Sequence, residues 1–168
     1  LARVEGRIES LKSEGSGFAA LIMCSLFANE GPPEIPSGFM EKVTQLVHNE
    51  GGLVIADEVQ SGYGRTGVWW GYEKTHFLPD MVVTGKPMGN GLPISAAATS
   101  KDLVDAFRAE KDYFNTTAAS PLQAAVGMAV LDEIERLNLV ATAAEVGNWL
   151  TRELKNRAAG SDVIGDTR

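Results

Sequence analysis

The chain has 168 residues, of which 44% are hydrophobic and 22% are charged, so it is long enough for one domain with a packed core. A formal net charge of −7 argues against a general nucleic-acid-binding surface. The single Cys24 excludes an internal disulfide, and no apolar run approaches the roughly 20 residues that a membrane helix needs. We therefore expect one domain over residues 1–168, with no nucleic-acid partner and no membrane partner.

The two ends of the chain bear on its location and completeness. No charged region followed by an apolar run opens the chain, which favours a cytoplasmic protein. A mitochondrial location stays open, because a leader would precede Leu1. Since the chain ends at Arg168 in a glycine-spaced stretch, we expect it to be part of a longer protein.

The first half of the chain has the pattern of a βαβ unit. We predict a poorly specified lead-in over residues 1–17 and a buried strand over 18–24. An amphipathic helix follows with Ser37 as its N-cap, and a second strand over 53–56 ends at Asp57. Strand, helix and strand in this order indicate a parallel sheet.

The second half supplies two more strands and two or three helices. Short strands are predicted over 81–83 and 94–99, and Ser100 caps the next helix. Ser120 precedes a proline that opens another helix, and a final amphipathic helix covers about 141–156. Its predicted apolar stripe comprises Val146, Leu150 and Leu154. The whole pattern predicts a three-layer α/β fold with a mostly parallel sheet.

Three polar residues follow these strands or precede a helix, where ligand-binding residues of α/β sheets gather. Asp57 follows the second strand, Lys86 follows the third, and Thr116 precedes the helix that begins at Pro121. Each alone is an ordinary turn, surface or capping residue. Together they supply what an aldehyde cofactor that acts as an electron sink requires: an amine for a Schiff base, a carboxylate for the pyridinium nitrogen, and donors for a phosphate.

Four stretches carry a resemblance to a known family. They read GLVIADEVQSGYGRTG at residues 52–67, PD at 79–80, TGKPMGNGLP at 84–93 and FNT at 114–116. In this order and spacing they resemble the class III pyridoxal-phosphate-dependent aminotransferases. The resemblance implies the large domain of a fold-type I enzyme, with pyridoxal 5′-phosphate (PLP) as cofactor and no metal site.

The resemblance also implies a role for five residues. Asp57 would pair with the pyridinium nitrogen, Val59 would pack against the ring, and Gln60 would contact the ring hydroxyl. Lys86 would form the Schiff base and act as general base and acid. Thr116 would reach the phosphate of the cofactor in a partner subunit, which implies a homodimer.

The implied activity is amino-group transfer from an amine or amino acid to a keto acid. Residues 88–91 are most similar to the branch that holds alanine–glyoxylate aminotransferase-like enzymes and phosphoethanolamine phospho-lyases. One alternative is therefore a PLP-dependent phospho-lyase that acts on a phosphorylated amino alcohol. By the same resemblance, an N-terminal segment and a C-terminal small domain lie outside the chain, so a second alternative is an inert folded fragment that only associates.

Two histidines and a tryptophan pair are predicted to lie outside the site. His48 falls at the end of the first predicted helix and His76 in a loop. The pair Trp69-Trp70 follows the Gly-rich stretch, where aromatic side chains anchor loops to a core.

Overall fold

A computed structural model of the protein describes residues 1–164 and 167. The strands are Ala20–Cys24 (β1), Leu53–Asp57 (β2), Met81–Thr84 (β3) and Ala96–Thr99 (β4). The α-helices are Ala2–Ser13 (α1), Phe39–Asn49 (α2), Gly71–Thr75 (α3), Lys101–Glu110 (α4), Pro121–Arg136 (α5) and Leu139–Ala158 (α6). A single 3₁₀ turn in the described residues covers Lys86–Met88.

The four strands form one sheet in the order β1-β2-β3-β4. β1 pairs with β2 and β2 with β3 in parallel, whereas β4 runs antiparallel to β3. Cys24, Asp57 and Val83 lie opposite one another in adjacent strands. The predicted α/β class and mostly parallel sheet are confirmed.

The core lies between the sheet and α2. Met40, Val43 and Val47 of α2 are buried against Val54 and Ala56 of β2. Burying an aliphatic side chain contributes about 1.5 to 3 kcal/mol, so this layer accounts for much of the stability of the sheet. Because side chains alternate along a strand, Ile22 of β1 and Ile55 of β2 point to the opposite face.

That opposite sheet face is partly open in the described residues. Ile22 in the middle of β1 is 60% exposed, although its neighbours Leu21 and Met23 pack against the core. Asp57 lies on this side of β2, because it directly follows the buried Ala56.

Two predictions in the first half of the chain are wrong. Residues 1–17 are not a poorly specified lead-in, since they contain α1, which buries Ile8 and joins α2 through the ion pair of Lys12 with Glu50 at 2.5 Å. Ser37 is not the N-cap of α2. Gly38 holds that position with a φ of 72°, a left-handed conformation that glycine adopts at little cost.

The predicted starts of the later helices are confirmed. Ser100 caps α4 by accepting the Leu103 N–H, and Ser120 forms a capping box with Gln123 at the start of α5. α6 is two residues longer at each end than predicted, and its stripe of Val146, Leu150 and Leu154 is exposed. The stripe is therefore not a core contact within the described chain.

The Gly-rich loop after β2 packs closely on α6. A Cβ atom at Gly64 would lie 2.8 Å from Val140 Cγ2, and one at Gly67 would lie 2.7 Å from Ala144 Cα. Both glycines have a positive φ. The loop can approach the helix this closely only because these residues lack side chains.

Candidate functional site

Asp57 and Lys86 leave the same edge of the sheet. Asp57 ends β2 and lies opposite Val83 of the parallel strand β3, and Lys86 follows Val83 along the chain. The Glu58 N–H donates to the Val83 carbonyl at 2.8 Å, which extends the pairing to the point where both strands end. The structure therefore places the two strand ends side by side.

Asp57 is half-buried and lines a small cavity. Its Oδ1 accepts a hydrogen bond from the Val59 N–H at 3.1 Å. The cavity has a volume of about 410 Å³, and its lining includes Cys24, Asn29 and Asp57. The carboxylate thus has a fixed backbone contact on one side and open space beside it.

Val59 lies next to the segment that carries Lys86. A Cβ atom at Gly85 would lie 3.9 Å from Val59 Cγ1, which is ordinary van der Waals contact. The half-buried isopropyl group, two residues after Asp57, therefore lies close to the residue before Lys86.

Gln60 is held by the loop after β1. Its Nε2 donates to Asn29 Oδ1 at 2.7 Å. Because Asn29 and Asp57 line the same cavity, this hydrogen bond keeps Gln60 near the Asp57 strand end.

Lys86 is exposed and has an unusual backbone conformation. Its φ is 38°, in the left-handed region that residues with a Cβ atom rarely adopt. Such a residue costs about 1 to 3 kcal/mol and is found most often where function requires it. The lysine begins the 3₁₀ turn that follows β3, so a rigid turn orients its backbone.

Thr116 lies in the exposed segment between α4 and α5. Asn115 Oδ1 organises this segment by accepting the N–H groups of Thr117 at 3.0 Å and Ala118 at 3.1 Å. Thr116 is exposed at the head of this turn, and among the described residues no hydrogen bond joins it to Asp57 or Lys86.

A larger cavity connects the Thr116 segment with the Lys86 turn. Its volume is about 630 Å³, and its lining includes Tyr63, Met88 and Thr117. Neither Asp57 nor Lys86 lines it, although Met88 belongs to the Lys86 turn. Burial raises the pKa of Tyr63, so its phenol stays protonated at neutral pH.

The comparison with known proteins assigns the family. A sequence model described as "Aminotransferase class-III" matches residues 2–168. The chain belongs to the class III aminotransferase family. The match covers all four motif stretches noted in the sequence, together with the α/β elements that connect them.

Relatives of this class III aminotransferase chain include both transaminases and a lyase. An "alanine–glyoxylate aminotransferase 2-like" protein of Drosophila melanogaster is 38% identical over 158 residues. A solved structure of a phospholyase from Arthrobacter in complex with phosphoethanolamine has a TM-score of 0.92 and 43% identity. The taurine:2-oxoglutarate aminotransferase from Bifidobacterium kashiwanohense, solved with PLP and glutamate, has a TM-score of 0.86 and 27% identity.

The class III aminotransferase chain spans only part of these relatives. The match to the Drosophila protein covers 93% of this chain but 32% of that protein. The match to the Arthrobacter structure covers 95% of this chain and 38% of that structure, and the match to the Bifidobacterium structure covers 98% and 38%.

The part of the chain that the structure describes contains no helix long and apolar enough to cross a membrane.

Pyridoxal phosphate is the cofactor that the family and its structural neighbours imply. The side chains of this class III aminotransferase chain fit the group by their chemistry. Asp57 offers a carboxylate for the protonated ring nitrogen, Lys86 offers a primary amine, and Val59 offers an apolar side chain next to Gly85.

One polar residue at this edge, Glu58, was not identified from the sequence. Glu58 is fully buried, and its carboxylate accepts hydrogen bonds from Ser25, Ser61, Gly71 and Tyr72. The sequence offered one sign of this: Glu58 directly follows Asp57, and neighbouring side chains at a strand end point to opposite faces of the sheet. An acidic side chain on the face opposite Asp57 needs hydrogen-bond partners there.

A second polar contact was also missed. His48 Nε2 lies 2.8 Å from Asp80 Oδ2, so the histidine is not simply an exposed helix end. Asp80 precedes β3 directly, and the same oxygen accepts the Val54 N–H at 2.7 Å. The contact lies away from the strand ends that carry Asp57 and Lys86 and has a structural role.

Proposed function

We propose that this chain is the cofactor-binding part of a PLP-dependent enzyme that transfers an amino group from an amine or amino acid to a keto acid. The observation that carries the proposal is the placement of Asp57 and Lys86 at the ends of adjacent parallel strands, with Val59 next to the residue before Lys86. In open α/β sheets this edge is where ligands bind.

When bound, pyridoxal phosphate supplies an electron sink for the substrate carbon next to the amine. Asp57 would hold a proton on the ring nitrogen by accepting its hydrogen bond. The Lys86 Nζ would hold the cofactor and, when free of it, would act as general base and acid, taking a proton from the substrate carbon and giving one to the cofactor's aldehyde-derived carbon, so that the amino group can be transferred.

The backbone of Lys86 supports this role. Its φ of 38° is strained for a lysine, and the turn that imposes it begins at the end of β3. A strained residue persists when the surrounding structure determines its position, as a nucleophile that must meet a cofactor requires. We propose that the turn directs the Lys86 side chain toward the Asp57 strand end.

Val59, Gln60 and Thr116 complete the proposed site. Val59 packs against the cofactor ring, and Gln60 contacts the ring hydroxyl while its Nε2 stays on Asn29. Thr116 binds the phosphate of a cofactor held by a second copy of the chain. Its exposure agrees with a role across a homodimer.

We propose further that residues 1–168 form one domain, the C-terminal part of the large domain, within a longer protein. The chain spans about a third of the length of its curated relatives. Other parts of the longer protein then supply the remaining walls of the site. A cytoplasmic location is proposed, although some relatives are named as mitochondrial.

Cofactor attachment tests the proposal directly. The chain is mixed with PLP, reduced with borohydride and digested, and the modified lysine is identified by mass spectrometry. We expect the modification at Lys86, with loss of the visible absorbance band in Lys86→Arg. Lys101→Arg is the matched control, because Lys101 is exposed on α4 and pairs with Asp105.

Two outcomes would contradict the proposal. Scattered labelling of surface lysines would mean that Lys86 has no special reactivity. Folded protein that gives neither absorbance band nor labelling would favour the alternative of a fragment that associates without binding the cofactor.

A second candidate function is elimination of phosphate from a phosphorylated amino alcohol. It is favoured by the 43% identity to the Arthrobacter phospholyase solved with phosphoethanolamine. The products formed from phosphoethanolamine by the longer protein separate the two. Phosphate release without a keto acid identifies the lyase, whereas a product that requires a keto acid identifies the transferase.

A further inference from the structure

Glu58 is a buried carboxylate in the segment that carries the proposed site residues. It is 0% exposed and lies between Asp57 and Val59. Oε1 accepts a hydrogen bond from the Ser25 hydroxyl and a second one from the Tyr72 N–H, the latter at 2.9 Å. Oε2 accepts the Ser61 hydroxyl at 2.8 Å and the Gly71 N–H at 2.7 Å.

These four donors come from three separate parts of the fold. Ser25 follows β1, Ser61 belongs to the Gly-rich loop, and Gly71 and Tyr72 open α3. Within the described residues no lysine, arginine or histidine pairs with Glu58. Because buried carboxyl oxygens are costly unless they are hydrogen-bonded, the four hydrogen bonds to Glu58 link all three parts of the fold.

The space around the carboxylate admits only small residues. A Cβ atom at Gly71 would lie 2.5 Å from Ser61 Cβ and 3.3 Å from Glu58 Oε1. A Cβ atom at Gly62 would lie 2.9 Å from the Glu58 carbonyl oxygen. The glycines let the donors approach closely enough to bond the acid.

We propose that Glu58 is a positioning residue for the site: its buried carboxylate fixes the strand end from which Asp57 projects to the other side, and the turn that follows with Val59. The opposite direction of Asp57 follows from the alternation of side chains along an extended chain. The Glu58 N–H adds a bond to the Val83 carbonyl of β3, the strand that leads to Lys86. This inference rests on the proposed function.

Glu58→Gln is the informative variant, because it replaces one oxygen by an NH₂ group and keeps the shape. A serine hydroxyl can rotate and accept from that group. A backbone N–H cannot, so either Gly71 or Tyr72 loses its acceptor. The strand end should then loosen while the apolar core formed by α2 stays intact.

Amide hydrogen exchange of the chain measures this without cofactor. The Val59 N–H, which donates to Asp57 Oδ1, should exchange roughly tenfold faster or more in Glu58→Gln. Exchange in α2 should stay unchanged. Glu73→Gln is the matched control, since Glu73 accepts the Trp70 N–H at 2.8 Å at the exposed start of the same α3.

Ser61→Ala is a milder second variant, because it removes one donor and leaves the acid in place. It keeps the test decisive where Glu58→Gln does not fold, and Val59 exchange should rise in it as well. Equal acceleration throughout the chain would show a general structural role and overturn the proposal. Unchanged exchange at Val59 in the folded variants would do the same.

Cofactor binding separates this inference from the proposed function. Pyridoxamine 5′-phosphate has no aldehyde to react with Lys86, so its affinity reports the ring contacts. We expect weaker binding in Glu58→Gln than in the wild type and in Glu73→Gln. A wild-type chain that binds neither vitamer contradicts the proposed function, whereas equal affinity in Glu58→Gln overturns the role of Glu58.

Discussion

His48 Nε2 lies 2.8 Å from Asp80 Oδ2, which joins the end of α2 to the start of β3. The same oxygen accepts the Val54 N–H at 2.7 Å, and the Asp80 carbonyl accepts the Thr99 hydroxyl at 2.8 Å. Asp80 therefore connects α2 with three strands. It does so at the amino ends of the parallel strands, away from the proposed site.

This contact makes stability depend on pH. Partial burial acts to raise the pKa of Asp80, but the Val54 N–H and His48 outweigh it, so the pKa lies below its ordinary value of about 3.9. A carboxyl group whose pKa is lower in the folded than in the unfolded state adds to the free energy of unfolding at pH values above its unfolded-state pKa. That stability is lost as the pH falls through the folded pKa.

Asp80→Asn tests the contribution by urea unfolding at several pH values. Near neutral pH the variant should lose about 1 to 3 kcal/mol of unfolding free energy, and the loss should shrink as the pH falls below about 4. Asp132→Asn changes an exposed acid on α5 and should have little effect. A loss for Asp80→Asn that is independent of pH would contradict the assignment.

Gly67→Ala should destabilise the chain through the contact with α6. The new Cβ would lie 2.7 Å from Ala144 Cα, and the φ of 83° adds backbone strain. Gly51→Ala is the control, because Gly51 has a φ of 79° and open space around it. We expect Gly51→Ala to lose about 1 to 2 kcal/mol of unfolding free energy from backbone strain alone. Gly67→Ala should lose a further 1 to 3 kcal/mol, roughly, from the contact with α6, as measured by thermal or urea unfolding. Equal losses would mean that the loop does not rest on α6.

Met40→Ala should cost about 2 to 5 kcal/mol of unfolding free energy, because Met40 is 0% exposed in the core beneath the sheet. The same change at Met128, which is 57% exposed on α5, should stay within about 0.5 kcal/mol. Urea unfolding of the two variants measures both values. A large loss at Met128 would show that this surface is buried in solution.

Ser37 and Ser120 were both predicted at helix starts, but only Ser120 caps a helix in the structure. Ser120 Oγ accepts the Gln123 N–H at 3.3 Å, so Ser120→Ala should lose about 0.5 to 2 kcal/mol. Ser37 is exposed and lies outside the cap of α2, so Ser37→Ala should change the unfolding free energy by less than about 0.5 kcal/mol. A larger loss for Ser37→Ala would restore that residue as the cap.

Local patterns predicted the parallel strands and most helix starts. Buried parallel strands have continuous apolar runs such as 53–56, and Ser120 followed by a proline is a specific signal for a helix start. α1 was missed because its glycine and its many charges obscured the helical spacing of Val4, Ile8 and Leu11. Ser37 was misassigned because capping depends on φ, which the residue type alone does not determine.

The candidate site was predicted at the level of strand ends rather than side-chain contacts. Asp57 ends one strand and Lys86 follows the next along the chain, and the parallel pairing places the ends of those two strands side by side. The four donors to Glu58 come from segments far apart in the chain, so only the folded structure shows that they converge. The exposure of Val146 on α6 was likewise hidden, because a helical stripe does not say what covers it.

That stripe has a consequence for handling the protein. Apolar side chains such as Leu150 on α6 face water, together with Ile22 on the sheet. Mutual repulsion from the charge of −7 keeps the molecules apart at neutral pH, and it vanishes near the isoelectric point of about 4.8. Concentrated samples should therefore precipitate on mild acidification, before the fold itself is lost.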